Sequence, residues 1–204
     1  MRRSDVVYNA RVLTAMSRRK LLRFAFLGVW LLVASAVLLD RATGPGATAD
    51  HARFHQKTVT LVRVIDGDTI VIEADGREER VRLLGIDAAE TNAADNAPPD
   101  FWADEATAAL RGLLAGGEVT LMLPEIRTRD RYDRLLAYVW AGDVEANLAL
   151  VEQGAVYADR RHDHERRDAY ERAESQARRR DVGLWAEVRE DQMPDWRQRW
   201  LAER

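Results

Sequence analysis

Two acidic clusters in the middle of the sequence contain the residue types that bind a cation and act on a phosphate. Residues 63–90 read RVIDGDTIVIEADGREERVRLLGIDAAE, in which Asp68 opens one apolar run and Asp87 closes the next strand-like run. In a hairpin meander, the start of one strand and the end of the next lie at the same end of the sheet. The two carboxylates would therefore face one small space, with Glu90 three residues further on and Arg82 on the strand that leads to it. Such a set of charges suggests a hard cation and a phosphate.

These residue types fit the hydrolysis of a phosphodiester. The bond is anionic, its cleavage needs an in-line nucleophile, and charge develops on the non-bridging oxygens in the transition state. Asp68 and Asp87 are the candidate ligands of a divalent cation, and hard oxygen ligands without histidine or cysteine suit Ca²⁺, Mg²⁺ or Mn²⁺. Glu90 is the candidate general base, or the anchor of the attacking water. Asp66 is expected to orient metal-bound water or to cap the turn.

A second block of the sequence supplies another arginine. Residues 130–138 read DRYDRLLAY and contain Arg134. Arg82 and Arg134 are suited to a bidentate grip on phosphoryl oxygens, which the point charge of a lysine matches poorly. Tyr132 and Tyr157 are candidates for stacking on a base, the alternative being that both belong to the core or its rim.

Short apolar runs separated by turn residues predict a small β-barrel with helices, a fold of the α+β class. Runs at residues 62–65, 70–72 and 79–86 predict a three-stranded meander, and Asp75-Gly76 is typical of a two-residue hairpin turn because both positions need φ > 0. Further strands are predicted over residues 119–123 and 135–140, and helices over residues 101–115, 144–153 and 161–180. Five short strands and about three helices fit a Greek-key barrel of the OB type, but the pattern does not separate it from other small β-barrels.

The N-terminal residues predict a membrane or export segment. Residues 1–23 are polar and basic, and residues 24–39 contain no charge. The uncharged run predicts a hydrophobic helix, which fits a transmembrane anchor with residues 1–23 in the cytoplasm or a cleaved secretory signal. A buried core helix is the third alternative. Residues 40–56 are rich in small residues and are predicted to be a linker. We expect the remaining domain outside the cytoplasm, held at the cell membrane, or secreted or periplasmic if the segment is cleaved.

The C-terminal residues 188–204 predict an additional helix. Trp196, Trp200 and Leu201 recur at helical spacing in this tail. The helix would pack against the domain or lie on a membrane surface, and packing is the interpretation that we favour.

Composition and charge limit the possible functions. The sequence has 204 residues, 47% of them hydrophobic, and no cysteine, so disulfides and thiolate metal sites are excluded. Eight basic and two acidic residues precede Asp50, which leaves 23 basic and 32 acidic residues in the rest. This acidic excess disfavours nucleic-acid binding, so local arginines and a bound cation would have to offset it.

In their order and intervals the blocks around Asp68, Asp87 and Arg134 resemble the staphylococcal nuclease family over residues 57–187. The resemblance implies an OB-fold barrel and a calcium-dependent endonuclease that acts on DNA and RNA and leaves 3′-phosphate ends. It adds the backbone carbonyl of Ala88 as a calcium ligand and implies that the two arginines stabilise the transition state. We expect a monomer whose partners are nucleic acid and, through an uncleaved N-terminal helix, the membrane.

Three residues depart from the pattern of that family. A threonine is frequent at Ala88, a proline usually stands at Ala89, and a glycine is common at Asp133. The alternative function is a degenerate barrel that binds nucleic acid or protein without cleaving it, and the acidic balance of the sequence is the only feature that favours it. Such a copy should lack at least one of the five acidic and basic site residues. All five are present in this sequence: Asp68, Arg82, Asp87, Glu90 and Arg134.

Overall fold

The structure, a computed structural model, describes residues 45–91 and 98–203. Its strands are β1 (Lys57–Val64), β2 (Thr69–Ala74), β3 (Arg77–Leu83), β4 (Ile86–Asp87), β5 (Glu118–Met122), β6 (Leu135–Ala141), β7 (Val144–Glu145) and β8 (Tyr157–Ala158). Its helices are α1 (Pro45–Phe54), α2 (Ala103–Leu113), α3 (Ala146–Glu152), α4 (Arg167–Arg179) and α5 (Asp195–Ala202), with short 3₁₀ turns at Gly183–Ala186 and Glu190–Gln192.

Five of the strands close into a barrel. The pairing order is β3-β2-β1-β5-β6, and every neighbouring pair in it is antiparallel. Parallel pairing of β3 with β6, with Val81 opposite Leu135, then joins the two ends. Closure leaves these five strands without a free edge. The predicted α+β fold, a five-stranded barrel with helices, is confirmed.

The turns of the meander show which local predictions hold. Asp75 and Gly76 have φ of 52° and 71°, so the predicted hairpin turn is confirmed. The single strand predicted over residues 79–86 is wrong, because β3 ends at Leu83 and β4 begins at Ile86. The break lies at Gly85, whose φ is 79°. The His164 ring lies so close to this backbone that a Cβ on Gly85 would overlap it. A side chain at this position would be strained by the positive φ and would displace the His164 ring.

The prediction of a linker over residues 40–56 is wrong for Pro45–Phe54, which forms α1. Phe54 is fully buried in the core. Asp50 accepts hydrogen bonds from Thr128 Oγ1 at 2.7 Å and from Arg129 Nε at 2.9 Å. The helix was missed because one large apolar side chain does not give a helical hydrophobic pattern.

A buried asparagine links the helical layer to the barrel near the break between β3 and β4. Asn147, on α3, accepts a hydrogen bond from Val139 N at 2.9 Å and donates one to Leu84 O at 2.9 Å. The core around it contains Ile70, Leu83, Leu110, Leu121, Leu135 and Leu150. A buried polar side chain with both ends hydrogen-bonded fixes the position of the elements that it joins.

The two terminal predictions have different outcomes. The hydrophobic segment of residues 24–39 lies outside the described residues. Within residues 45–91 and 98–203, no helix has both the length and the apolar character needed to cross a membrane. The tail forms the predicted extra helix, α5, and Arg197 on it is fully buried, so this helix packs against the domain.

Candidate active site

The turn before β2 positions the first acid of the site. Asp66 accepts a hydrogen bond on Oδ1 from Asp68 N at 3.0 Å, and Ile65 N donates to Thr69 O at 2.9 Å. The Thr69 hydroxyl donates to Asp68 Oδ1 at 3.0 Å. Asp66 therefore caps the turn, which is one of the two roles expected for it.

The second acid closes β4 and lies beside the first. Asp87 is paired with Tyr157 in the two-stranded ribbon of β4 and β8. The next amide, Ala88 N, donates to Asp68 Oδ2 at 2.8 Å, and Leu83 N donates to Asp68 O at 2.8 Å. These bonds bring the start of β2 and the end of β4 together, as the meander predicted.

One guanidinium group spans the two acids. Arg82 Nη1 lies 2.8 Å from Asp68 Oδ2, and Arg82 Nη2 lies 3.1 Å from Asp87 Oδ1. Arg82 Nη1 also donates to Leu83 O at 3.1 Å. The exposed fractions of the three side chains are only 14% for Arg82, 8% for Asp68 and 12% for Asp87. Charges held together with so little solvent interact strongly.

Burial dominates the electrostatics of the first acid. Removal from water raises the pKa of Asp68 to about 7, against the lowering effect of the nearby Arg82 guanidinium. The carboxylates of Asp66 and Asp87 raise the pKa further. A second positive charge at this position would therefore favour the ionised carboxylate.

Glu90 follows the second acid and lies at the edge of the same cluster. Glu90 is an exposed residue, but its carboxyl group is partly removed from water, which raises its pKa, and the charges of Asp66 and Asp87 raise it further. Arg82 and Arg134 oppose this shift. Glu90 is thus close enough to these four residues for their charges to change its pKa.

Arg134 is held in place by the loop that contains it. Its Nε lies 2.8 Å from Asp130 Oδ2, and its backbone N donates to Asp130 Oδ1 at 3.0 Å. Its Nη1 lies 3.4 Å from Thr69 Oγ1, at the start of β2. Asp133 has a φ of 61°, so the residue found where glycine is common in the family adopts the left-handed conformation.

The two candidate stacking residues have different environments. Tyr132 is 64% exposed, with the guanidinium carbons of Arg131 and Arg134 at 4.6 and 5.5 Å from its ring centre. Tyr157 is only 3% exposed, and the Trp196 ring packs against it at 6.4 Å. Tyr132 is therefore accessible to a ligand, whereas Tyr157 lies in the core, which is the alternative position given for it above.

Two residues that the sequence interpretation missed contact the second acid. Arg161 Nη2 donates to Asp87 Oδ1 at 2.6 Å and Trp196 Nε1 donates to Asp87 Oδ2 at 2.7 Å. Arg161 is itself held by Asp159, at 2.9 Å. They are 74 and 109 residues from Asp87 in the sequence, and no local signal linked them to it.

The donor set fits a weakly bound hard cation. Within residues 45–91 and 98–203, no three Asp, Glu, His or Cys side chains form a metal-binding group. Asp68 and Asp87 nevertheless share one guanidinium. The Asp68 carboxylate accepts two hydrogen bonds and the Asp87 carboxylate three, of about four possible for each. With the carbonyl of Ala88, they would hold calcium through few protein oxygens, so water and phosphate would complete the shell.

Two cavities meet at the site. The larger, of about 1110 Å³, is lined among others by Arg82, Asp87, Glu90, Tyr132, Arg134 and Arg161. The smaller, of about 660 Å³, shares Asp87, Glu90 and Arg161 with it and is walled by residues 191–196 and by two further residues of α5. The two candidate catalytic arginines and Glu90 thus face one cleft, as a phosphoryl group between them would require.

Comparison with known proteins gives consistent matches. A family model described as "Staphylococcal nuclease homologue" matches residues 80–187. A thermonuclease of Staphylococcus hyicus is 30% identical over 164 residues, which cover 78% of this chain and 96% of the relative. A thermonuclease of Staphylococcus intermedius is 36% identical over 60% of this chain and 73% of the relative. Endonuclease YncB of Bacillus subtilis is 32% identical over 53% of this chain and 52% of the relative.

Proposed function

The chain belongs to the staphylococcal nuclease family and is a nuclease, and on this premise we propose that it is a calcium-dependent endonuclease acting as a monomer on DNA and RNA. We propose further that its products carry 3′-phosphate ends. The observation that carries the proposal is the convergence of Arg82, Glu90 and Arg134 on the cleft beside two buried carboxylates. The Bacillus subtilis relative, YncB, is itself called an endonuclease.

The arginines supply the grip on the substrate. Arg82 and Arg134 reach the cleft from β3 and from the loop before β6, so their guanidinium groups can hold a phosphoryl group from two sides. Each can donate two parallel hydrogen bonds to non-bridging oxygens. Calcium held by Asp68, Asp87 and the carbonyl of Ala88 would neutralise further negative charge on the same phosphate.

Glu90 handles the proton of the attacking water. Its raised pKa brings the carboxylate closer to the basicity that a general base needs near neutral pH. A water held by Glu90 is oriented towards phosphorus, and the carboxylate accepts its proton as the new P–O bond forms. Arg134 then lies beside the departing 5′-oxygen and stabilises the charge that develops there.

We place the nuclease domain outside the cytoplasm. Residues 24–39 form an uncharged run after a basic flank, which is typical of an anchor or an export signal. Weak calcium sites of extracellular modules fill at about 10⁻⁴–10⁻³ M calcium, which suits a site with few protein ligands. The mass of the mature protein, measured from membrane and soluble fractions, tests whether the segment is retained.

Plasmid cleavage by the purified full-length protein tests the function. We expect nicking with Ca²⁺, no nicking with a chelator, and a loss of about 10²- to 10⁴-fold in kcat for Glu90→Gln with an unchanged circular dichroism spectrum. Glu125→Gln is the matched control, because Glu125 is an exposed carboxylate lining the same cleft. Equal rates for wild type and Glu90→Gln would reject the role of Glu90. Nucleic-acid binding by the wild type without any cleavage would favour the non-catalytic alternative.

A further inference from the structure

We propose that helix α5 is part of the cation site, with Trp196 as a positioning residue that fixes the carboxylate of Asp87. This inference rests on the proposed function, in which Asp87 is a calcium ligand. Helix α5 lies outside residues 80–187, the segment matched by the family model. That segment includes Asp87 but neither Trp196 nor Asp68.

The hydrogen bonds on Asp87 divide between its two oxygens. Oδ1 accepts from Arg82 Nη2 at 3.1 Å and from Arg161 Nη2 at 2.6 Å, whereas Oδ2 accepts from Trp196 Nε1 at 2.7 Å. Because donors hold both oxygens, the carboxylate plane cannot rotate. The bond from Trp196 leaves a lone pair of Oδ2 for a cation. The indole N–H is also neutral, so it orients the carboxylate without repelling a cation as a guanidinium does.

The packing around Trp196 fixes the indole itself. Its ring packs edge-on against Tyr157, with ring centres 6.4 Å apart, and Tyr157 is the residue paired with Asp87 across the ribbon of β4 and β8. The Arg161 guanidinium lies 5.1 Å from the centre of the Trp196 ring. The neighbouring Arg197, fully buried, anchors the helix.

That anchor connects α5 to the body of the domain. Arg197 Nη2 donates to Glu174 Oε2, on α4, at 2.8 Å, and neither side chain is more than 1% exposed. A helix fixed by a buried ion pair can hold one hydrogen-bond donor in a constant position. Mutation of a partner that orients a metal ligand in this way commonly lowers metal affinity about 10- to 100-fold.

Calcium binding to the full-length protein, measured by titration calorimetry without nucleic acid, tests the proposal. Trp196→Phe keeps the ring on Tyr157 and removes only the N–H, so we expect its Kd for Ca²⁺ to rise about 10- to 100-fold while its Tm without calcium changes little. Trp200→Phe is the matched control, because Trp200 lies one turn further along α5 and its ring packs over the Arg160 guanidinium, 4.4 Å from the ring centre. The Kd of this control should match the wild type.

A second measurement follows the wild-type protein itself and uses a variant only to assign one resonance. The indole N–H resonance of Trp196, assigned with the Trp196→Phe variant, should shift with calcium and saturate at the calorimetric Kd, while that of Trp200 stays in place. Equal Kd values for wild type and Trp196→Phe, or an unmoved Trp196 resonance when calcium binds and plasmid is cleaved, would overturn the role of Trp196 alone. A wild type that binds no calcium would overturn the proposed function and this inference with it.

Discussion

At the scale of single residues, the site depends on the shape of the arginine side chain as much as on its charge. The planar guanidinium of Arg82 places one nitrogen near Asp68 and the other near Asp87, at 2.8 and 3.1 Å. A lysine has the same charge but a single nitrogen on a flexible stem. The two carboxylates would then lose the group that holds them at a fixed separation.

The change Arg82→Lys tests this dependence. We expect kcat to fall by about 10²-fold, because a point charge cannot donate paired hydrogen bonds to the phosphoryl oxygens in the transition state. The control is Arg63→Lys, since Arg63 meets Glu78 on the exposed surface at 2.9 Å. Initial rates on plasmid or a short duplex measure both variants. Full activity of Arg82→Lys would contradict a bidentate role.

The pH dependence of stability tests the anchor of Arg134. Burial acts to raise the pKa of Asp130, but hydrogen bonds from the side chain and backbone of Arg134 and from the backbone of Tyr132 outweigh it, and the pKa is lowered. A carboxyl whose pKa is lower in the folded state stabilises the fold above its unfolded pKa, about 4. That stabilisation disappears as the pH falls through the lower, folded value.

We therefore expect Asp130→Asn to lower the free energy of unfolding at about pH 7 and to have a much smaller effect at about pH 2. Urea denaturation of wild type and variant across this range measures the difference. A difference between the two proteins that stays constant with pH would show that Asp130 does not titrate with a lowered pKa.

At the scale of elements, the site depends on how closely the turn before β2 packs on helix α2. A Cβ on Gly67 would lie 2.7 Å from the Cβ atoms of both Ala106, on α2, and Ala88, after β4. Neither neighbour is a flexible side chain that can move aside. The glycine thus lets the turn with Asp68, the helix and the end of β4 meet at one point.

The change Gly67→Ala should separate these elements. We expect a destabilisation of about 1–3 kcal/mol from overpacking, together with a loss of activity, because the turn that contains Asp68 has to shift. The control is Gly112, which lies on α2 and has open space where a Cβ would be. Gly112→Ala should stabilise the protein by about 1 kcal/mol and leave its activity unchanged. Thermal denaturation and plasmid cleavage distinguish the two. Normal activity and stability of Gly67→Ala would mean that the turn tolerates the extra methyl group.

At the scale of the whole molecule, one buried acid joins the tail to the domain. Glu174 Oε2 accepts from Arg160 Nη2 at 2.9 Å and from Arg197 Nη2 at 2.8 Å, and its Oε1 accepts from Ala158 N at 3.1 Å. Arg197 pairs with this negative charge alone among the described residues, whereas Arg160 also pairs with Glu171, at 3.1 Å. The tail, helix α4 and the ribbon that contains Asp87 are connected through it.

Removing that charge should destabilise the protein more than removing one of its partners. We expect Glu174→Gln to cost about 3–5 kcal/mol, because it leaves the fully buried Arg197 without a counter-charge. Arg197→Met should cost less, since Glu174 keeps Arg160. Urea denaturation of the two variants gives the order, and an equal or reversed order would contradict this distribution of charge.

The sequence by itself determined the features that depend on neighbouring residues. Alternation of apolar residues gave the strands, Asp75-Gly76 gave the turn that the positive φ values confirm, and helical spacing gave α5. The meander also brings the start of β2, next to Asp68, to the end of β3, where Thr69 lies opposite Arg82, because the pairing of consecutive strands fixes where their ends meet. Asp87 follows only four residues after this end of β3. Local periodicity encodes such features directly.

Only the tertiary structure decided which distant elements touch the site. Trp196 reaches Asp87 from 109 residues away, and the same docking buries Tyr157 beneath the tail. Helix α1 was hidden for a related reason, since it is fixed by Phe54 in the core and by the pairing of Asp50 with Arg129. Contacts of this kind depend on the complementary shape and charge of two separate surfaces, and no local pattern in either segment specifies its partner.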